Sequence, residues 1–179
     1  STILEQWHTY KGLRKSATDN HTTITNENIA SEVVIVDYLT LYNDKTKRLI
    51  PEASNHLSQI IAMQESLLGL WGTYKDLKRQ SIDKHATITS ENIASEVIIN
   101  DYLTLYNARY KGTIEDSIKR TNEMIAQHDN LLKLWGVYKD LKKSAIDTHG
   151  YIVNENVAAD VAITNYLHLY EENAKTKVI

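Results

Sequence analysis

The sequence predicts an all-α protein made of three tandem helical repeats, and three observations support this fold class. The stretch from Ile82 to Asn107 recurs 64 residues earlier and 64 residues later, without a gap. Apolar residues in the segment before each copy are spaced three and four apart, which is typical of one helix face. The same displacement relates Trp7, Trp71 and Trp135. Self-similarity at a fixed period indicates a repeat architecture.

The period divides the 179 residues into repeats over 1–50, 51–114 and 115–179, the first lacking the front half of its long helix. A unit of this size buries a small fraction of its surface on its own. Neighbouring repeats are therefore expected to support one another. We expect an elongated array, either of three-helix bundles that share long helices or of helix pairs stacked as an α-solenoid.

Each repeat begins with a long helix, predicted from Glu52 to about Ile82 and again over Glu115–Ile146. The first repeat keeps only Ile3–Ala17 of this pattern. Glycines inside the stripe are expected to kink the helix or to let another backbone approach. They are Gly69, Gly72 and Gly136.

The aromatic residues of the long helix are expected to be structural anchors where helices meet. With 11 Tyr, 3 Trp and no Phe, every aromatic side chain has a polar group, which suits half-buried positions between helices. The expected anchors are Trp7, Trp71, Trp135, Tyr10, Tyr74 and Tyr138.

A loop at His85–Thr89 is predicted to separate the long helix from a shorter one of about 20 residues. Each predicted start carries Asn or Ser followed by Glu, a common N-cap pattern. These starts are Asn26, Ser90 and Asn154.

A strand is the alternative for the shorter element, because Val33–Val36 contains three β-branched valines and an isoleucine. Two-residue alternation fails, however, since Asp37 falls on the strand face shared with Ile35 and Leu39. The helix is therefore the preferred prediction.

Composition excludes several classes of partner and site. The 23 acidic and 20 basic residues give a net charge of −3, so neither nucleic acid nor an anionic membrane is expected as a partner. The absence of cysteine removes disulfides and thiolate sites. No apolar run approaches the roughly 18 residues of a membrane span. No cofactor is expected either. The compartment stays open, with an extracellular or cell-surface location slightly favoured.

The main candidate for chemistry is the set Asp83, His85 and Glu91, which the repeat writes three times. Carboxylates beside an imidazole can bind a divalent metal or transfer protons. The favoured interpretation is structural: the histidine and Glu91 complement the dipoles of two helix ends, and Asp83 organises the loop. The other copies are Asp19, His21, Glu27 and Asp147, His149, Glu155.

Three basic clusters could contact phosphates along one face. A solvated face is favoured, because each cluster is predicted to lie in the last turns of its helix, where the dipole favours cations. The clusters are Lys11, Arg14, Lys15; Lys75, Lys78, Arg79; and Lys139, Lys142, Lys143.

Three tyrosine pairs are candidate ligand contacts. Spaced i, i+4, the members of a pair meet on one helix face, although core packing is the favoured role. The pairs are Tyr38 with Tyr42, Tyr102 with Tyr106, and Tyr166 with Tyr170.

These observations predict a non-enzymatic repeat protein that serves as a spacer, a scaffold or an assembly-forming rod. The alternative is a binding module that recognises a peptide, a glycan or a partner helix along the tyrosine-lined face. The expected partner is protein, including self-association end to end, because the pattern starts partway along a long helix and stops after a short one.

Overall fold

The computed structural model describes residues 2–172 and 175–177, and most of them are helical, which confirms the all-α class. The helices are α1 Ile3–Asn26, α2 Val36–Asn43, α3 Ile50–Ser90, α4 Asn100–Asn107, α5 Ile114–Asn154, α6 Val157–Asp160 and α7 Thr164–Glu171, with 3₁₀ turns at Ile29–Ser31 and Ile93–Ser95 and strands β1 Val97–Ile98 and β2 Thr176–Lys177.

The long helices are longer than the sequence pattern predicts. Both α3 and α5 have 41 residues, and they begin 64 positions apart. The predicted loop at His85–Thr89 is wrong, because α3 continues through it. No glycine or proline interrupts the chain there, and the Thr87 hydroxyl donates to the Asp83 carbonyl within the helix.

The three predicted N-caps are also wrong, since each of these residues is the last of a long helix. They are Asn26, Ser90 and Asn154. The chain turns two residues later, where Asn28, Asn92 and Asn156 adopt left-handed conformations with φ of 55°, 53° and 53°. Asparagine tolerates this region better than other non-glycine residues, so it ends the helix.

The predicted shorter helix is only eight residues long in each copy, as in α4. The residues before α4 form a 3₁₀ turn and then β1, which pairs in parallel with β2, with Val97 opposite Thr176. The strand alternative therefore holds for two residues. Ile93 and Val97 are both buried, so this irregular segment carries core side chains.

The glycines of the long helices do not mark close backbone contacts. A Cβ atom built at Gly69, Gly72 or Gly136 would meet nothing within 4 Å. The expectation of a close approach at these positions is wrong, and both helices run through them without interruption.

The chain forms two compact units. One contains Ser1–Gln80 and Arg109–Glu123, and the other contains Ser81–Ala108 and Met124–Ile179. Each unit therefore combines residues from successive predicted repeats, and the repeat boundaries themselves stay a prediction.

The core of the first unit lies between α1, the turn after it, α2, α3 and the start of α5. Burying this apolar surface is the main source of its stability. Its buried members are Ala17, Ile24, Ile29, Val33, Tyr38, Ile60, Leu67, Trp71 and Ile114.

The core of the second unit uses equivalent positions 64 residues further on. The end of α3, the following turn, α4 and α5 supply it. Its buried members are Ile88, Ile93, Val97, Tyr102, Leu131 and Trp135.

Candidate functional site

A histidine–tyrosine–tyrosine cluster recurs three times and brings together the histidines considered for chemistry and the tyrosines considered as ligand contacts. In the second copy His85 stacks on Tyr106, with ring centroids 3.9 Å apart and planes 9° apart. Its Nδ1 is hydrogen-bonded to Oη of Tyr102 at 2.6 Å. The other copies are His21 with Tyr38 and Tyr42, and His149 with Tyr166 and Tyr170.

Local geometry explains why the cluster forms. The histidine lies about one and a half turns before the end of the long helix, and the left-handed asparagine sends the chain back across it. The two tyrosines, four residues apart on the short helix, then share one face. The hydroxyl of the first tyrosine meets the imidazole edge, and the second ring covers its face.

The electrostatics of the second cluster keep both polar groups neutral near pH 7. Burial raises the pKa of Tyr102 to about 12, and the nearby Tyr106 contributes to the same rise. Burial also lowers the pKa of His85. The phenol and the imidazole are therefore joined by a hydrogen bond between two uncharged groups, which holds the short helix against the long one.

The second cluster contains an additional imidazole that the sequence patterns did not identify. His128 of α5 is fully buried, and its ring lies 4.4 Å from that of Tyr102 at 70°. Neither ring nitrogen has a hydrogen-bond partner among the described residues. Burial, followed by the neighbouring His85, lowers the pKa of His128 to about 4.

The corresponding position in the first unit is Gln64, 64 residues before His128. Gln64 is also fully buried, and its Nε2 donates to the carbonyl of Ala17 at 2.9 Å. A polar residue in the middle of an apolar stripe, at the same place in two repeats, was the sequence signal for this site.

The residues considered for a metal site do not converge. Asp83 is exposed, His85 faces the tyrosines, and the Glu91 carboxylate lies 3.1 Å from Nζ of Lys139. Across residues 2–172 and 175–177, no group of three histidine or acidic side chains could hold a metal ion.

The expected dipole roles of His85 and Glu91 are wrong. Helix α3 continues past His85 to Ser90, so the imidazole does not lie at the end of the helix. Glu91 directly follows that helix and begins no other one, since a 3₁₀ turn starts at Ile93. Its carboxylate is used in an ion pair with α5 instead.

All nine residues of the basic clusters are exposed, as expected for a solvated face, but their predicted position on the helices is wrong. They do not occupy the last turns of their helices, which run 11 or more residues further. Lys75 instead pairs with Glu27 at 2.9 Å, and Lys78 pairs with Glu32. The equivalent pairs in the second unit are Lys139 with Glu91 and Lys142 with Glu96.

These ion pairs belong to a contact that we call the repeat junction. In it, a wedge formed by residues 27–34 packs against the next long helix around Trp71. Trp71 is 4% exposed, and its Nε1 donates to the Glu27 carboxylate at 3.2 Å. The backbone N–H of Val34 also donates to the carbonyl of Gly112 at 2.8 Å.

The second junction repeats this arrangement with the wedge 91–98. Trp135 is equally buried, although its Nε1 has no partner among the described residues. The β1–β2 pairing takes the place of the Val34–Gly112 bond. Lys75, followed by Trp71, holds the pKa of Glu27 below its usual value, and Glu96 raises the pKa of Lys142.

The remaining anchor and tyrosine candidates differ in exposure. Tyr38 and Tyr102 are each 3% exposed and belong to the two cores, whereas Tyr170 is 36% exposed. Trp7 is 40% exposed, unlike the other two tryptophans. The partly buried candidates are Tyr10, Tyr42, Tyr74, Tyr106, Tyr138 and Tyr166.

The fold and these contacts define an all-α protein with recurring aromatic clusters and recurring junctions. No helix among the described residues is long and apolar enough to cross a membrane. No model of a known protein family, no curated protein sequence and no solved structure matches this chain.

Proposed function

We propose that this protein is a non-enzymatic helical-repeat protein that acts as a structural spacer or scaffold for other proteins. The observation that carries the proposal is the recurrence of the repeat junction with equivalent partners. Lys75 pairs with Glu27 as Lys139 pairs with Glu91, and Trp71 and Trp135 are each 4% exposed.

A junction of this kind is suited to a mechanical role. It combines a buried tryptophan, two charge pairs and backbone hydrogen bonding, so several independent contacts would have to break before two repeats could move apart. The aromatic clusters support the same role, because a stacked and hydrogen-bonded histidine fixes the short helix on the long one.

The proposal is tested by measuring how well the repeats hold a fixed spacing. The chain has no cysteine, so a pair of engineered cysteines carries the only two spin labels. The labels are placed at exposed positions that are equivalent in the repeat. Lys15→Cys with Arg79→Cys reports on one step of the repeat, and Arg79→Cys with Lys143→Cys reports on the next. A spacer predicts a narrow distance distribution for both pairs in pulsed dipolar EPR.

Broad distributions for both pairs in the folded chain would contradict a spacer role. The matched control is each labelled pair with the single substitution at the junction between its labels, Trp71→Ala for the first pair and Trp135→Ala for the second. If the junctions provide the rigidity, those substitutions broaden the distributions while circular dichroism still reports helix.

A further inference from the structure

In each repeat junction a wedge packs into a groove around a tryptophan of a long helix. The equivalent groove on α1, around Trp7, is exposed. A cavity of about 740 Å³ lies between α1, the segment after α2 and the start of α3, and Trp7 is among its lining residues. Trp7 corresponds to Trp71, yet it is 40% exposed where Trp71 is 4% exposed. The cavity is further lined by Tyr10, Arg14, Arg48 and Ile50, which correspond to Tyr74, Lys78, Gly112 and Ile114 of the first junction.

The third wedge, formed by residues 155–162, is more exposed than the first two. These residues correspond to 27–34 and 91–98. Ile29 and Val33 are 0% exposed, and Ile93 and Val97 are 0% and 2% exposed. Val161, the counterpart of Val33 and Val97, is 57% exposed.

The charges on the open groove and the free wedge match those of the two occupied junctions. Lys11 and Arg14 stand where Lys75 and Lys78 do, and Glu155 and Asp160 stand where Glu27 and Glu32 do. Within residues 2–172, neither Glu155 nor Asp160 forms an ion pair.

We propose that a second copy of this chain occupies the groove, with its residues 155–162 forming a third junction against Trp7. In this contact Lys11 pairs with Glu155 and Arg14 pairs with Asp160 of the other copy. The N–H of Ala162 donates to the carbonyl of Arg48, as Val34 does to Gly112.

The contact joins two different surfaces and need not close, so it extends end to end with each added copy. This inference rests on the proposed spacer role, which it extends to self-assembly. The spacer proposal and the self-assembly proposal can fail separately. The spacer test measures EPR distances within single chains at low concentration, whereas the assembly test measures association as the concentration rises.

The test is sedimentation velocity over a concentration series with charge-reversed variants of the 179-residue chain. The unmodified chain should increase in weight-average mass with concentration, and added salt should weaken the increase. Arg14→Glu places a carboxylate opposite Asp160, and Asp160→Arg places a guanidinium opposite Arg14. Each variant alone should lose the increase.

Mixing the two variants in equal amounts gives the decisive result. In the mixture the new carboxylate of the Arg14→Glu chain meets the new guanidinium of the Asp160→Arg chain. The unchanged Arg14 of the second chain meets the unchanged Asp160 of the first. Both heterotypic contacts are therefore complementary, and association should return. Arg79→Glu, a charge reversal on the same helix pattern outside the groove, is the control and should associate like the unmodified chain.

The proposal is overturned if the unmodified chain stays monomeric up to its solubility limit. It is also overturned if either single variant associates normally, or if the mixture does not restore association. Trp7→Ala and Val161→Asp should each abolish association with unchanged helicity, and association that survives both substitutions together would place the contact on another surface and refute the proposal.

Discussion

The indole Nε1 of Trp71 donates to the carboxylate of Glu27 over 3.2 Å, although the two residues lie 44 positions apart in the chain. The same carboxylate accepts a hydrogen bond from Lys75. One acidic residue after the end of α1 therefore fixes a tryptophan and a lysine of α3. The ring of Trp71 is at the same time buried among the core residues of the first unit.

Trp71→Ala should cost about 3–5 kcal/mol of unfolding free energy, the usual range for a buried tryptophan. Urea denaturation at low protein concentration measures this change. Trp7→Ala is the matched control, because Trp7 occupies the same repeat position but is 40% exposed, and it should cost less than about 1 kcal/mol. Equal losses for the two substitutions would show that burial does not distinguish these positions.

The sequence predicted the helical class and the aromatic stripe, because spacings of three and four follow directly from helix geometry. It did not predict where the long helices end. The Asn-Glu and Ser-Glu pairs resembled N-caps, whereas the determining residue is the asparagine two positions later, such as Asn92 with φ of 53°. Whether such a pair caps a helix depends on the backbone conformation of a single residue. The residue types alone do not determine that conformation.

For a similar reason, the sequence did not predict that the histidines and the tyrosine pairs are in contact. The recurrence of His85, Tyr102 and Tyr106 was visible in the sequence, but their stacking depends on a chain reversal at the misplaced helix end. The ion pairs of Lys75 and Lys78, by contrast, join residues 48 and 46 positions apart. Such separations depend on how distant segments pack together, which local sequence patterns do not determine.

The left-handed asparagines provide a second prediction. Asn92→Ala should reduce the unfolding free energy by about 1 kcal/mol, since an alanine Cβ is unfavourable in this region of φ and ψ. Asn92→Gly, the control at the same site, should be neutral or slightly stabilising because glycine adopts positive φ freely. Thermal unfolding compares the two variants, and an alanine variant as stable as the glycine variant would contradict the role of the turn.

The open surroundings of Gly69 give a third prediction. A Cβ there meets nothing within 4 Å, and the residue lies inside the continuous helix α3. Gly69→Ala should therefore raise the unfolding free energy by about 0.5–1 kcal/mol through helix propensity. Gly12→Ala in α1, where the space is equally open, should give a similar gain. A loss of stability at Gly69 in urea denaturation would indicate that the helix needs a glycine there.

The buried His128 predicts a dependence of stability on pH. Its pKa is lowered to about 4, below the ordinary value of 6.5, mainly by burial. Between these two values the unfolded chain binds a proton that the folded chain does not bind. The free energy of unfolding should therefore be highest above pH 6.5 and fall by up to about 3 kcal/mol as the pH drops towards 4. The lowered pKa of His85 acts in the same direction.

The chain itself offers the control for this prediction, since Gln64 occupies the equivalent position in the first unit. His128→Gln removes the titrating group, and its amide can donate to the carbonyl of Ser81, as Gln64 donates to Ala17. The variant should lose most of the decline in stability between pH 6.5 and 4. Urea denaturation across this range compares the two proteins. Parallel curves for the variant and the unmodified chain would mean that His128 takes up its proton without unfolding, and that its burial does not set the acid sensitivity.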